Sequence, residues 1–176
     1  EDARITVAAN ACDAAAIYTV GGVPQASRAL YQAALVLPFG ATARDALDDL
    51  AQAMAGQWAY AAGEFHIRAG AYTASVQTLL DADLAVVQRG PDGATQQSPV
   101  SIVTHRARDQ QFNVVTPTIW DASQDYKQTA LTPLKASALI TRDGVELVQD
   151  VSMPAVFYAP QALHIGGIML RDQRDG

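Results

Sequence analysis

The sequence predicts an α+β fold in which short helices pack on antiparallel β-hairpins and a small antiparallel sheet or partial barrel. Three observations carry that expectation. A capped amphipathic stretch opens at Thr42, and two strand-like runs, "QWAYA" and "EFHIRA", flank the turn "AGE". The second half of the chain is then built of short apolar runs between turn residues and ends in a segment with helical spacing. With 176 residues, such a chain buries roughly 70% of the surface its unfolded form exposes, which is enough for a core.

The first element is alanine-rich. From Ala3 to Ala16, residues Ile5, Val7, Ala8, Ala11, Cys12 and Ala15 recur at three-to-four spacing and predict a short helix. The Gly-Gly and Pro of "TVGGVPQASR" (19–28) mark a loop, and "ALYQAALVLPFG" reads as a strand closed by Pro38 and Gly40. Thr42 is the N-cap of the next helix, with Asp45 three residues on. Leu47, Leu50, Ala51 and Met54 form its apolar stripe, and Gly56 sits where a left-handed C-cap belongs. Asp45, Asp48 and Asp49 place negative charge in its early turns, as the helix dipole favours.

The hairpin follows, with its turn at Gly63. Phe65 and Ile67 share one face, Glu64, His66 and Arg68 the other, and Gly70 marks a corner before Tyr72. "SVQTLLDADL" reads as a short strand ending in an acidic turn, and "QRGPDGATQQSP" (88–99) as a polar loop. "VSIVTHRARDQQFNVVTPTIWD" predicts two strands around "RDQQ", and "RDG" between "SALIT" and "VELVQDV" predicts an Asp-Gly hairpin. Tyr158 to Arg174 is expected to be helical, with Pro160 in its first turn and Leu163, Ile165, Ile168 and Met169 on its apolar side. Gly166 and Gly167 weaken that helix by roughly 1 kcal/mol each relative to Ala. The expected division is a helix-hairpin subdomain over 1–90 and a mainly antiparallel β subdomain with a terminal helix over 91–176.

Composition narrows the function. A net charge of −6 argues against a general nucleic-acid or anionic-membrane binder. No apolar run approaches the roughly 18 residues of a membrane-spanning helix, so no membrane insertion is expected. One cysteine, Cys12, excludes an internal disulfide framework and is expected to be a buried, inert thiol. The chain begins "EDARITVAAN" without an initiating Met, which suggests a piece of a longer protein.

Chemistry-bearing residues are sparse. His66, His105 and His164 form no metal-binding spacing; the first two are expected on the surface and the third in packing or interface duty. Asp81 and Asp83 share a strand face and form either a weak cation site or an exposed acidic turn. Trp58, Tyr60, Phe65 and Tyr72 read as sheet packing, with a sugar- or peptide-binding groove as the alternative. Glu64 or Asp83 would be the acid of a carbohydrate-cleaving enzyme, but no second carboxylate pairs with either. No catalytic, cofactor or metal site is assigned.

The order of the elements adds a resemblance. "ARITVAANACDAA", "RALYQAALVLPFGATARDALDDLAQAMAGQWAYAAGEFHIRAGAY", "LLDADL", "RARDQQFNVVTPTIWDASQDYKQTAL" and "ITRDGVELVQDVSMPAVFYAPQALHIGGIMLRDQR" together resemble the hub region of phage tail-tip proteins. These are the host-specificity, or tip-attachment, proteins of long flexible tails, related to baseplate hub proteins. The chain departs from that pattern where it has "RALYQAALVL" in place of an "RYT-x-NG" strand, and in the Gly pair of its last helix. The resemblance implies a baseplate-hub-like fold and a non-enzymatic structural role in the virion, in a protein made in the bacterial cytoplasm from a phage or prophage gene. It also implies a trimeric ring that closes the distal end of the tail tube, with the distal tail protein and the tape-measure protein as partners. Edge strands around residues 100–119 are expected to offer ring contacts by strand addition. A carbohydrate- or receptor-binding module is the alternative reading.

Overall fold

A computed structural model describes residues 3–20, 23–61, 63–70, 88–89, 95–96 and 111–175. Helix α1 (Ala3–Asp13) leads into four two-residue strands, β1 (Ala15–Ala16), β2 (Thr19–Val20), β3 (Val23–Pro24) and β4 (Arg28–Ala29). Helix α2 (Ala43–Ala53) precedes the hairpin strands β5 (Gln57–Ala61) and β6 (Glu64–Arg68). Strands β7 (Gln88–Arg89) and β8 (Thr95–Gln96) follow, then the long strand β9 (Val114–Asp121). A 3₁₀ turn, Ala122–Gln124, leads to β10 (Lys127–Ala130), β11 (Leu134–Lys135), helix α3 (Ser137–Asp143), strand β12 (Val148–Met153) and helix α4 (Ala159–Asp175). Residues 1–71 and 111–176 form one compact unit, and 72–110 form a second in which β7 and β8 pair antiparallel.

The architecture is α+β, as expected, with no closed barrel among the described residues. The main sheet is centred on β9. β10 pairs antiparallel with its C-terminal half (Lys127↔Asp121 to Ala130↔Thr118), and β11 antiparallel with its start (Leu134↔Val115). Between these two pairings the register slips by one residue, the signature of a bulge. Pro117 lies opposite the break: its carbonyl accepts from the Leu131 N–H at 2.8 Å, but proline has no N–H to return.

β12 covers the other edge of β9, and it runs parallel (Val148↔Val114 to Met153↔Ile119). This differs from the expected Asp-Gly hairpin. "SALITRD" is helix α3, and Gly144, at φ 70°, is its left-handed C-cap, donating to the Ile140 carbonyl. Asp-Gly serves a cap as well as a hairpin turn, because both require a positive φ. It also follows that β9 is a central strand, so residues 114–119 offer no free edge, contrary to expectation; the strand expected before them lies outside the described residues.

Alternate β9 residues, Val115, Pro117 and Ile119, are fully buried beneath α4, and Met153 and Val151 of β12 continue the same face. Ile165 and Ala162 of α4 close the core over them. Two buried side-chain amides organise this core. Asn113 donates from Nδ2 to Asp143 Oδ2 and the Val145 carbonyl, both at 3.0 Å, and its Oδ1 accepts from the Leu147 N–H at 2.8 Å. It thereby joins the start of β9 to the segment between α3 and β12. Gln161 of α4 donates from Nε2 to the carbonyls of Gln32 (2.8 Å) and Ala53 (2.9 Å), and its Oε1 accepts from the Gln32 N–H at 3.1 Å.

The expected strand over 29–40 does not form beyond Ala29. The segment is irregular, held by Gln161, by the Ala34 N–H donating to the Ala155 carbonyl (3.0 Å), and by Leu30 and Leu35 packing on the core. Its apolar run has the composition of a strand but, among the described residues, no strand beside it to pair with.

Helix α2 begins as expected. Thr42 Oγ1 accepts from the Asp45 N–H at 3.2 Å, and the Asp45 carboxylate accepts from the Thr42 N–H at 3.3 Å, a complete capping box. Its C-terminus differs from expectation. The left-handed residue is Ala55 (φ 48°), not Gly56. The Ala55 N–H donates to Gln52 and the Gly56 N–H to Ala51, the paired bonds of a Schellman turn. Gly56 and Gly70 are required for a different reason: the end of α2 and the end of the hairpin touch backbone to backbone. A Cβ on Gly56 would stand 2.1 Å from the Arg68 oxygen, and one on Gly70 2.4 Å from the Ala55 oxygen. Helix α1 packs on β6 and buries Ala8.

Gly167 of α4 and Gly56 after α2 are expected to separate by substitution. Gly167 faces open space, so Gly167→Ala should stabilise the chain by roughly 0.5–1 kcal/mol through helix propensity alone. Gly56→Ala should cost about 3 kcal/mol because a backbone oxygen blocks the methyl group. Urea denaturation of both variants measures this; equal effects of one sign would contradict it.

Candidate interaction surface

The hairpin β5–β6 pairs Gln57↔Arg68 to Ala61↔Glu64 around Gly63 at φ 83°. Alternation puts Trp58, Tyr60, Phe65 and Ile67 on one face. The rings pack on each other, Tyr60 to Phe65 at 4.9 Å and Trp58 to Phe65 at 6.2 Å. That is the expected sheet packing, but it is not burial: Tyr60 remains 62% exposed and Phe65 47%. Leu50, expected in the apolar stripe of α2, is also exposed; Ala51 of that stripe is buried as expected, and so is Ala53.

An open groove of about 620 Å³ lies beside this hairpin. One wall is a single face of α2, with Arg44, Asp48, Ala51 and Gln52 at helical spacing, continued by Ala55 of the turn that ends it. Residues 56–60 form the second wall, and Ile165, Ile168 and Met169 of α4 the third. Its lining is mixed: Trp58, Ile165, Ile168 and Met169 are apolar, and Arg44, Asp48 and Asp172 supply charge. The Trp58 indole N–H donates to Asp48 Oδ1 at 2.7 Å, which fixes the ring's orientation.

A second apolar feature is the loop before α2. Val36 is 91% exposed, Leu37 54% and Phe39 110%. The Ala41 N–H donates to the Pro38 carbonyl (3.1 Å), Gly40 takes φ 92°, and the Thr42 capping box follows at once. Phe39 therefore sits on a defined turn. Sequence reasoning placed these residues in a strand and missed the projection; the available signal was an apolar run ending in Pro-Phe-Gly.

His164 lies in aromatic packing, with the rings of Tyr18 and Tyr31 each 6.0 Å away. Tyr18 also packs edge-on against Tyr158 at 5.9 Å, and the Arg28 guanidinium lies 4.5 Å above the Tyr158 ring. The Tyr18 hydroxyl donates to the Leu30 carbonyl and the Tyr31 hydroxyl to the Gly70 carbonyl (2.9 Å). Burial raises the Tyr31 phenol to about 12, so it stays protonated.

The remaining candidates are dispersed. Cys12 is half-buried with its thiol pushed up, first by burial and then by Asp13, which disfavours the reactive thiolate. Glu64 is exposed in β6, and His66 is half-buried opposite Ala59 rather than fully on the surface. Asp81, Asp83, Tyr72 and His105 lie outside the described residues. Among the described residues no cluster of three metal-ligating side chains occurs, and no helix is long and apolar enough to cross a membrane.

Burial first, and the Arg171 charge second, lower the His164 pKa. The unfolded chain then takes up this proton at a higher pH than the folded one. The neutral ring's contribution to stability is complete above about pH 6.5 and is lost as the pH falls from there through the folded-state value. His164→Gln is expected to flatten the fall in Tm between about pH 7 and 5; a wild-type Tm that is constant over that span would contradict this.

A family model described as "Putative phage tail protein" matches residues 42–176, well over half of the chain. The match starts at the N-cap of α2 and spans every residue that lines the groove. No curated protein matches the chain. From that family match, the chain belongs to the phage tail protein family.

Proposed function

We propose that this chain is a structural part of a phage or prophage tail tip, within the hub that closes the distal end of the tail tube and supports host attachment. Membership of a phage tail family implies a component of the virion. The more specific position is supported by the ordered succession of pieces that resemble tail-tip hub proteins.

The observation that carries the reading is apolar surface displayed on well-anchored elements. Val36, Leu37 and Phe39 project from one loop, Tyr60 and Phe65 from the hairpin, and Trp120 and Tyr126 from the end of the sheet. Adjacent exposed apolar side chains, as at Val36, Leu37 and Phe39, are the kind of surface that serves as an interaction site when it forms a contiguous patch.

In this reading the chain assembles in a trimeric ring, with the distal tail protein and the tape-measure protein as neighbours. Its part in infection is mechanical, holding the receptor-binding parts of the tail in place, with no catalytic step. Gold-labelled antibodies raised against the chain should mark the distal tip of intact particles in electron micrographs. Label distributed along the tube, or confined to the end nearest the head, would contradict the proposal.

A further inference from the structure

Among the described residues, the hairpin strand β5 has a neighbour on one side only, since β5 and β6 form a two-stranded sheet. The pair that closes a two-residue hairpin turn, here Ala61↔Glu64, is hydrogen-bonded, and along an antiparallel ladder bonded and non-bonded pairs alternate. Ala59↔His66 and Gln57↔Arg68 are therefore bonded pairs. Trp58 and Tyr60 fall between them and turn their backbone N–H and C=O groups away from β6. Among the described residues no hydrogen bond to these four groups is made. Gly56, Gln57, Trp58, Ala59 and Tyr60 all line the groove, and no residue of β6 does. Successive strand residues point to opposite faces, so a strand that presents them all shows its edge. The outer edge of β5 borders the groove.

We infer that the groove is a docking site for an extended segment of another protein, which adds to β5 as a third strand. The backbone of β5 selects this class of occupant. Two donors and two acceptors at a two-residue period are matched by a second extended backbone, and a sugar or a compact apolar group does not carry that repeat. The Trp58 indole, bonded to Asp48, ties the strand to α2, so the cleft is set before docking and its ordering cost is low. Ile165, Ile168 and Met169 offer an apolar wall to one face of the added strand. Charge sets a second condition. Arg44 pairs with Asp48 at 3.9 Å, and Asp172 has no ion pair among the described residues. The segment that fits is apolar at alternate positions and places a Lys or Arg against Asp172. Five residues of strand span about 17 Å, which suits a short linear segment. The inference does not depend on where in the tail the chain sits.

The probe is a synthetic pool of acetylated, amidated heptapeptides with Lys at the centre and every other position randomised. The chain is immobilised, retained peptides are sequenced, and the most enriched one is resynthesised for fluorescence titration. It should carry β-branched or aromatic residues at alternate positions. Methylating one alternate set of its amide nitrogens should weaken binding at least about tenfold, and methylating the other set should leave it unchanged. Tyr60→Pro removes a backbone N–H that the hairpin does not use, a change an edge strand tolerates. It should bind the peptide at least about tenfold more weakly than Tyr60→Ala, which lacks the same ring but keeps the N–H. Asp172→Asn should weaken binding about threefold at low salt and have little effect at high salt.

A pool from which nothing is retained overturns the inference. So does a retained peptide indifferent to methylation of either set, because its side chains alone would then be recognised; this readout requires no variant and stands should Tyr60→Pro fail to fold. Equal binding by folded Tyr60→Pro and Tyr60→Ala overturns it as well. Unchanged affinity in Asp172→Asn overturns the requirement for a basic residue. Self-association of the chain that the peptide displaces would make a second copy the occupant and overturn the choice of partner.

Discussion

The buried amide of Gln161 is the contact on which the rest of the unit depends. It lies in the first turns of α4, and its three hydrogen bonds reach the backbone of Gln32 twice and the carbonyl of Ala53 once. The Ala53 carbonyl belongs to the last turn of α2, where helix geometry leaves acceptors without partners. The Gln32 groups lie in a segment with no strand beside it among the described residues. Left unpaired in the interior, each such group costs about 1–3 kcal/mol. One side chain satisfies all three, and in doing so holds the N-terminal third of the unit against the sheet and α4.

The geometry of the groove follows from that constraint. With the C-terminus of α2 tied to α4, the Schellman turn at Ala55 and Gly56 directs the chain into β5, and the close approach of Gly56 and Gly70 to facing backbone brings the hairpin against the helix end. The three walls of the groove are thus fixed by backbone contacts and a buried amide rather than by the side chains that line it. The Phe39 loop draws on the same anchors, since its approach is held by Gln32 and Ala34 and its exit by the capping box.

Local chemistry made part of this legible in the sequence. Thr42 and Asp45 cap each other three residues apart, the strands around Gly63 pair across a short turn, and α4 keeps its apolar side despite two glycines. What could not be read depends on distant partners. The run from Leu30 to Leu37 has the composition of a strand, but it is held by a residue 129 positions away from Gln32. Asp143-Gly144 fits a hairpin turn and a helix cap equally, and packing chose the cap. The parallel pairing of β12 turns on α3 intervening after β11, and so β9 became a centre where an edge was expected. The groove needs α2, β5 and α4 to converge, which no spacing in the sequence announces. Its aromatic wall was visible as an alternation of Trp58 and Tyr60, but their exposure was not.

Native-state hydrogen exchange, resolved by residue, tests the central claim most directly. If Gln161 locks the irregular 30–35 segment to the core, the amides of Gln32 and Ala34 should exchange only through the same large-scale opening that exposes Val114 in the sheet. Their protection should then match that of the strand amides, although they belong to no helix or strand. Exchange of Gln32 and Ala34 orders of magnitude faster than the strand amides, at the rates of a fraying loop, would contradict the account, because the segment would open independently of the core.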